Sequence, residues 1–132
     1  YENAQNQLNT LAADWQKEIE ALYQEIDRLY KEYQSEQLLM TEEMRIEKEE
    51  LIIRKEKEAK ALQQQRFGPE GDLFKKRQEL VQPIQDQVYA AIKKLADDGS
   101  YAIIFDKSSE LMMLYTDPKY DKSRDILKIL GY

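Results

Sequence analysis

Trp15-Gln-Lys-Glu-Ile-Glu-Ala-Leu-Tyr-Gln-Glu-Ile-Asp-Arg-Leu-Tyr-Lys-Glu-Tyr33 is the stretch that decides the fold. Within it Trp15, Ile19, Leu22, Ile26, Leu29 and Tyr33 recur at alternating steps of four and three. That spacing keeps one apolar line on one side of a helix, the seam of a coiled coil. Leu8 extends the Trp15/Leu22/Leu29 series upstream, and Met40 extends the Ile19/Ile26/Tyr33 series downstream. Glu18, Glu20, Glu25, Arg28 and Lys31 occupy the rest of the cylinder. A helix is predicted over 3–38.

Downstream, Leu38-Leu39-Met40 are consecutive, which no single stripe can bury. Thr41 then precedes Glu42 and Glu43, the pattern of a capped helix start with acid at its positive end. A tight turn is expected at 38–41; the alternative is one helix unbroken to Arg66. Residues 42–66 hold seven acidic and seven basic side chains. Glu50–Arg54 and Glu56–Lys60 are spaced for favourable i,i+4 pairing. Met44, Leu51, Ile52, Ala59 and Leu62 form only a narrow apolar stripe. Gly68-Pro69-Glu70-Gly71 is the one strong breaker, since residues 1–67 contain neither Gly nor Pro. Helix resumes near Asp72, read as a cap, with Leu73, Leu80, Ile84, Val88, Ala91, Ile92 and Leu95 on one face and Pro83 inside as a bend. Asp97-Asp98-Gly99 ends it.

The chain then changes character. Tyr101 to Phe105 and Leu111 to Tyr115 are short β-favouring runs separated by the polar stretch Asp106 to Glu110, and read as a pair of strands. Asp117-Pro118 turns the chain. Asp121 or Ser123 caps a last helix carrying Ile126, Leu127 and Leu130, closed by Gly131. Two strands alone do not make a stable sheet, so these runs need strands from elsewhere.

Composition narrows the function. With no Cys and no His among 132 residues, disulfides, thiolate metal sites and the commonest general base are excluded. The net charge of −6 lacks the basic field of nucleic-acid binders. No apolar run approaches the ~18 residues of a membrane span, so membrane contact is peripheral at most. Gly68-x-x-Gly71 matches the KH-loop spacing but lacks the basic groove and flanking sheet. There is no phosphate-binding loop for ATP. The adjacent carboxylates Glu42-Glu43, Glu49-Glu50 and Asp97-Asp98 point about 100° apart on a helix and read as solvated charge. The chain begins at Tyr1 rather than Met, so a processed or cut N-terminus is expected.

The order of elements carries a resemblance, most specifically over residues 72–132. Glu79 to Ile84, then Val88, Ala91 and Ile92, then Tyr101 to Asp106, then Tyr115, Asp121 to Ser123, Ile126, Leu127, Leu130 and Gly131 are similar to the C-terminal half of the Skp/OmpH family of periplasmic chaperones. The resemblance implies a mainly α protein: a long helical hairpin, the coiled-coil arm, on a small β-rich oligomerisation body. It implies a homotrimer whose arms surround a cavity and hold unfolded outer-membrane proteins without nucleotide. By that analogy 1–98 is the arm with its root and 99–132 the body. The family's first strand precedes the arm, and no residue before Tyr1 is present to supply it.

Candidate residues follow. Tyr23 and Tyr30 lie seven apart beside the Leu22/Leu29 seam. They read either as seam-edge packing or as an adaptable surface for an unfolded client. Leu38, Leu39 and Met40, with Met44, sit where a hairpin tip has little protein to cover them, and are client-contact candidates. Tyr101, Ile103, Phe105, Leu111, Met113 and Tyr115 alternate along the two expected strands and are oligomerisation candidates. No catalytic residue, metal ligand or cofactor is assigned. The expectation is an ATP-independent holdase; the alternative from another class is a structural coiled-coil adapter with one dedicated folded partner.

Overall fold

The computed structural model describes residues 1–109 and 111–132. Four α-helices follow in order: α1 Glu2–Glu36, α2 Glu42–Phe67, α3 Asp72–Gly99 and α4 Ser123–Ile129, with a 3-10 turn at Pro118–Tyr120 before α4. The chain forms two compact units, Tyr1–Leu80 and Val81–Tyr132. The division of the chain into an arm over 1–98 and a body over 99–132 remains a proposal.

In the first unit, α1 and α2 pack antiparallel. Tyr33 bonds to Glu49 near the turn, Glu25 pairs with Lys55 further back, and Glu18 pairs with Arg66 further still. The seam read from the sequence is the buried face of α1: Ile19, Ile26 and Leu29 are buried, and Trp15, Leu22 and Tyr33 half-buried. Ile26, Leu29, Ile52 and Ala59 form the core, with Leu22, Tyr33 and Leu51 packed against it. On α2 Lys48, Ile52, Lys55, Ala59, Leu62 and Arg66 are covered, again at steps of four and three, with Leu51 and Phe67 covered beside them. Three of these six slots, Lys48, Lys55 and Arg66, thus hold a long basic stem that covers apolar surface while its head reaches water or an acid. Met44, expected in that stripe, is half exposed. Glu50–Arg54 and Glu56–Lys60 are not closed among the described residues; Lys55 instead reaches Glu25 on α1 at 3.8 Å.

The turn falls where the phase breaks. Helix α1 ends at Glu36, and Thr41 starts α2 by accepting the Met44 N–H on its hydroxyl at 3.2 Å. At the other end of α2, Gly68 is extended, as the residue before a proline must be. Gly68 C=O accepts the Gly71 N–H at 2.9 Å, and Glu70 takes a left-handed φ of 57°. Pro in second place and a positive φ in third is the pattern of a type II turn. Asp72 is not a cap: it is the first residue of α3, whose Lys75 N–H bonds to Gly71 C=O at 3.0 Å. Its carboxylate is taken by Arg66 instead.

Helix α3 runs unbroken through Pro83, which has no N–H to return to Glu79. Its expected face is the covered one, with Ala91 buried and Leu73, Leu80, Ile84, Val88, Ile92 and Leu95 half-buried. Ser100, with φ 51°, ends it, and Tyr101 folds back so that a Cβ on Gly99 would come within 2.2 Å of its ring.

The two expected strands are absent. Among the described residues there is no β-strand, and the β-rich body is not supported. Tyr101–Phe105 and Leu111–Tyr115 are irregular and exposed. Both runs have β propensity, but propensity is realised only against a partner strand, and each has none here. The polar stretch between them bonds to itself: Asp106 Oδ1 accepts from Ser108 N–H at 2.8 Å and from Ser108 Oγ at 2.6 Å. Glu110, at the end of that stretch, lies outside the described residues. Beyond it, Asp121 Oδ1 accepts the Ser123 N–H at 2.9 Å at the start of α4, and Gly131 closes that helix with φ 89°.

Candidate client-holding surface

The hairpin presents three kinds of apolar surface. At the tip, between the end of α1 and the cap Thr41, no side chain is in place to cover Leu38 and Leu39, which are 93% and 90% exposed. Met40 is half-buried and Met44 half exposed. Along the flank of the seam, Tyr30 is half exposed, while the Tyr23 hydroxyl donates to Gln63 Oε1 at 3.5 Å. Tyr23 therefore sits at the seam edge and still borders an open groove with Ile19, Gln16, Glu20 and Asp27. On the face of α2 opposite its seam lie Ile46 and Ile53, both half exposed. Sequence reasoning missed this last pair; their seven-residue spacing out of phase with Ile52 and Ala59 was the available signal.

Charge is distributed unevenly over this surface. Helix α1 carries Glu2, Asp14, Glu18, Glu20, Glu25, Asp27, Glu32 and Glu36 against Lys17, Arg28 and Lys31 only. Helix α2 is balanced, so most of the net −6 rests on α1. The carboxylate of Glu49 beside the Tyr33 hydroxyl holds that phenol above the usual tyrosine range, because ionising it would face a negative charge and lose the bond.

In the second unit, the oligomerisation candidates Tyr101, Ile103, Phe105, Leu111, Met113 and Tyr115 are all exposed, and so are Met112 and Leu114 between them. They are not brought together into one packed face. What order the segment has comes from polar bonds. Lys107 reaches Asp121 at 2.7 Å, and Lys122 lies over the Tyr101 ring at 5.8 Å. The bonds from Lys107 and Ser123 hold the Asp121 carboxyl well below its ordinary range, and the Tyr101 hydroxyl pushes Lys122 up.

Among the described residues no group of three or more acids could hold a metal ion, and no helix is long and apolar enough to cross a membrane. The arrangement, exposed thioether, aliphatic and phenolic side chains on a helical scaffold, is suited to contact.

The family model described as Outer membrane protein (OmpH-like) matches residues 1–130. The chain belongs to that family, a family of chaperones for outer-membrane proteins. Comparison with curated proteins gives no match.

Proposed function

We propose that this chain is an ATP-independent holdase of the periplasm that keeps unfolded outer-membrane proteins from aggregating. Three copies join through residues 99–132, and the client sits between the hairpin arms. The carrying observation is the nearly complete exposure of Leu38 and Leu39 at the end of a helical hairpin in a chain of the OmpH-like family. Apolar side chains that a folded chain leaves uncovered at a protruding tip mark a contact site. Tyr23, Tyr30, Met40 and Met44 extend the contact, and many weak contacts then give avidity without a pocket.

The test dilutes a denatured β-barrel protein into buffer with stoichiometric amounts of this protein and follows light scattering. Suppressed aggregation, equal with and without ATP, is the expected result. Unchanged aggregation overturns the holdase reading. Tight binding of one folded partner, with no effect on unfolded chains, would instead establish a dedicated coiled-coil adapter.

A further inference from the structure

One side chain grips the corner between α2 and α3 from three sides. Arg66, in the last turn of α2, donates from Nη1 to Asp72 Oδ2 at 2.8 Å, at the first residue of α3. From Nη2 it donates to Glu18 Oε2 of α1 at 3.4 Å. Its guanidinium carbon lies 4.8 Å from the centre of the Trp15 ring of α1. The Phe67 ring meets the same indole edge-on, with centroids 6.4 Å apart. Arg66 Nε is buried without a partner. An aliphatic side chain would fill this space without leaving a donor unsatisfied, so packing alone does not account for an arginine here.

The backbone beside it is a stiff corner. A Cβ on Gly68 would come within 2.2 Å of Gln64 O, and one on Gly71 within 2.7 Å of Gln65 O. Two positions that accept only glycine, flanking a proline, hold the turn in one conformation. The freedom left at the base of the hairpin is therefore whether α1 stays fastened to that corner.

We propose that Arg66 is a latch fastening α1 to the α2–α3 corner, so that the base of the hairpin and the first turns of α3 move as one body and the hairpin yields only toward its tip. The latch has two components of different kind. The bonds to Asp72 and Glu18 are ionic and partly open to solvent, with the Arg66 side chain 25% exposed, so salt weakens them. The stack on Trp15 is contributed by the planar guanidinium and is not reproduced by lysine.

The sequence supplies its own reporters: Trp15 is the only tryptophan, and with no cysteine, spin labels go in at chosen sites. The full chain is labelled at Lys17 and Gln78, across the latch, and separately at Gln24 and Lys60, across the hairpin above it. R66M should broaden the Lys17–Gln78 distance distribution and raise acrylamide quenching of Trp15, leaving Gln24–Lys60 narrow. About 1 M salt, where the Debye length is about 3 Å, should broaden Lys17–Gln78 in the parent chain and add less in R66M. An unchanged Lys17–Gln78 distribution in R66M overturns the latch. Equal broadening of both pairs also overturns it, because Arg66 would then only stabilise the hairpin at large. Should R66M not fold, E18Q combined with D72N removes the ionic half and is read in the same way.

Discussion

Tyr33 of α1 donates its hydroxyl to the Glu49 carboxylate of α2, and among the described residues this is the cross-helix side-chain bond nearest the tip. The bond exists only while the phenol is protonated, and Glu49 raises the pKa of that phenol above its usual value. Its contribution is whole below the ordinary tyrosine pKa of about 10 and is lost as pH rises through the raised folded value. The distal hairpin should therefore fray at alkaline pH sooner than the Trp15 end. Amide exchange across residues 30–50, compared between the parent and Tyr33→Phe, checks this: the substitution should speed exchange near neutral pH and remove the difference at high pH.

Ala59 is fully buried and lies in the same cluster as Ile52. A methyl group there lets α1 and α2 approach closely, so Ala59→Leu should overpack the seam and destabilise by about 1–3 kcal/mol. Ile52→Ala should cost about 2–3 kcal/mol through lost burial and a cavity. Urea denaturation followed by helical ellipticity measures both; a neutral Ala59→Leu would mean the helices are free to separate.

Leu38→Ser with Leu39→Ser removes apolar surface that is almost wholly exposed in the folded chain. Stability should stay within about 0.5 kcal/mol of the parent. Capacity to suppress client aggregation should fall, and fall further when Met40→Ser is added. Client affinity should depend only weakly on ionic strength, because a chain whose excess charge is acidic holds by apolar contact. Strong weakening by salt, with no effect of the serines, would move the binding surface to the charged flanks.

Tyr101–Phe105 and Leu111–Tyr115 should pair as strands when copies meet. Light scattering coupled to size exclusion is expected to show a trimer, with β-type ellipticity rising with concentration as unpaired runs find partner strands. Phe105→Asp should dissociate the assembly while leaving the α1–α2 hairpin helical. A monomer at high micromolar concentration would sink the assignment of these residues.

Asp106, Asp117 and Asp121 are each held below the ordinary carboxylate range, Asp106 first by the Ser108 hydroxyl, Asp117 by the Lys119 N–H and Asp121 by the Lys107 ammonium. Groups with depressed values contribute above their unfolded pKa of about 3.9 and lose the contribution as pH falls through the folded value. The turns at Asp106, Asp117 and Asp121 should thus persist at pH 4 and loosen only in stronger acid. Carboxyl chemical shifts in an NMR titration measure this directly; midpoints at ordinary values would show that these turns do not persist in solution.

The α1 seam was legible because Ile19, Leu22, Ile26 and Leu29 announce their period by hydrophobicity alone. The α2 seam was only half legible. Ile52, Ala59 and Leu62 stand out, and Leu51 packs beside them, but Lys48, Lys55 and Arg66 hold the remaining slots, and a reading by apolarity passes over them and takes in the half-exposed Met44. The tip was found because Leu38-Leu39-Met40 breaks the phase. Tyr101–Phe105 and Leu111–Tyr115 misled because side-chain type reports a preference for pairing, whereas a strand needs the partner itself. The Arg66 contacts left no trace in spacing: Glu18 and Asp72 stand 48 and 6 residues away and meet only in three dimensions.

The basic slots of α2 bear on how the hairpin finds its alignment. Lys48 and Lys55 are seven residues apart, and so are Ile52 and Ala59, so over residues 48–59 a slide of one heptad sets lysine where lysine was and an aliphatic group where an aliphatic group was. Such a seam is nearly degenerate in register. The degeneracy is broken by the short connection from Gln37 to Thr41 and, toward the base, by Leu62 and Arg66, whose counterparts seven residues earlier are Lys55 and Ala59. A hairpin without its arginine would therefore still exclude the slid alignment, because the short connection and Leu62 remain in place.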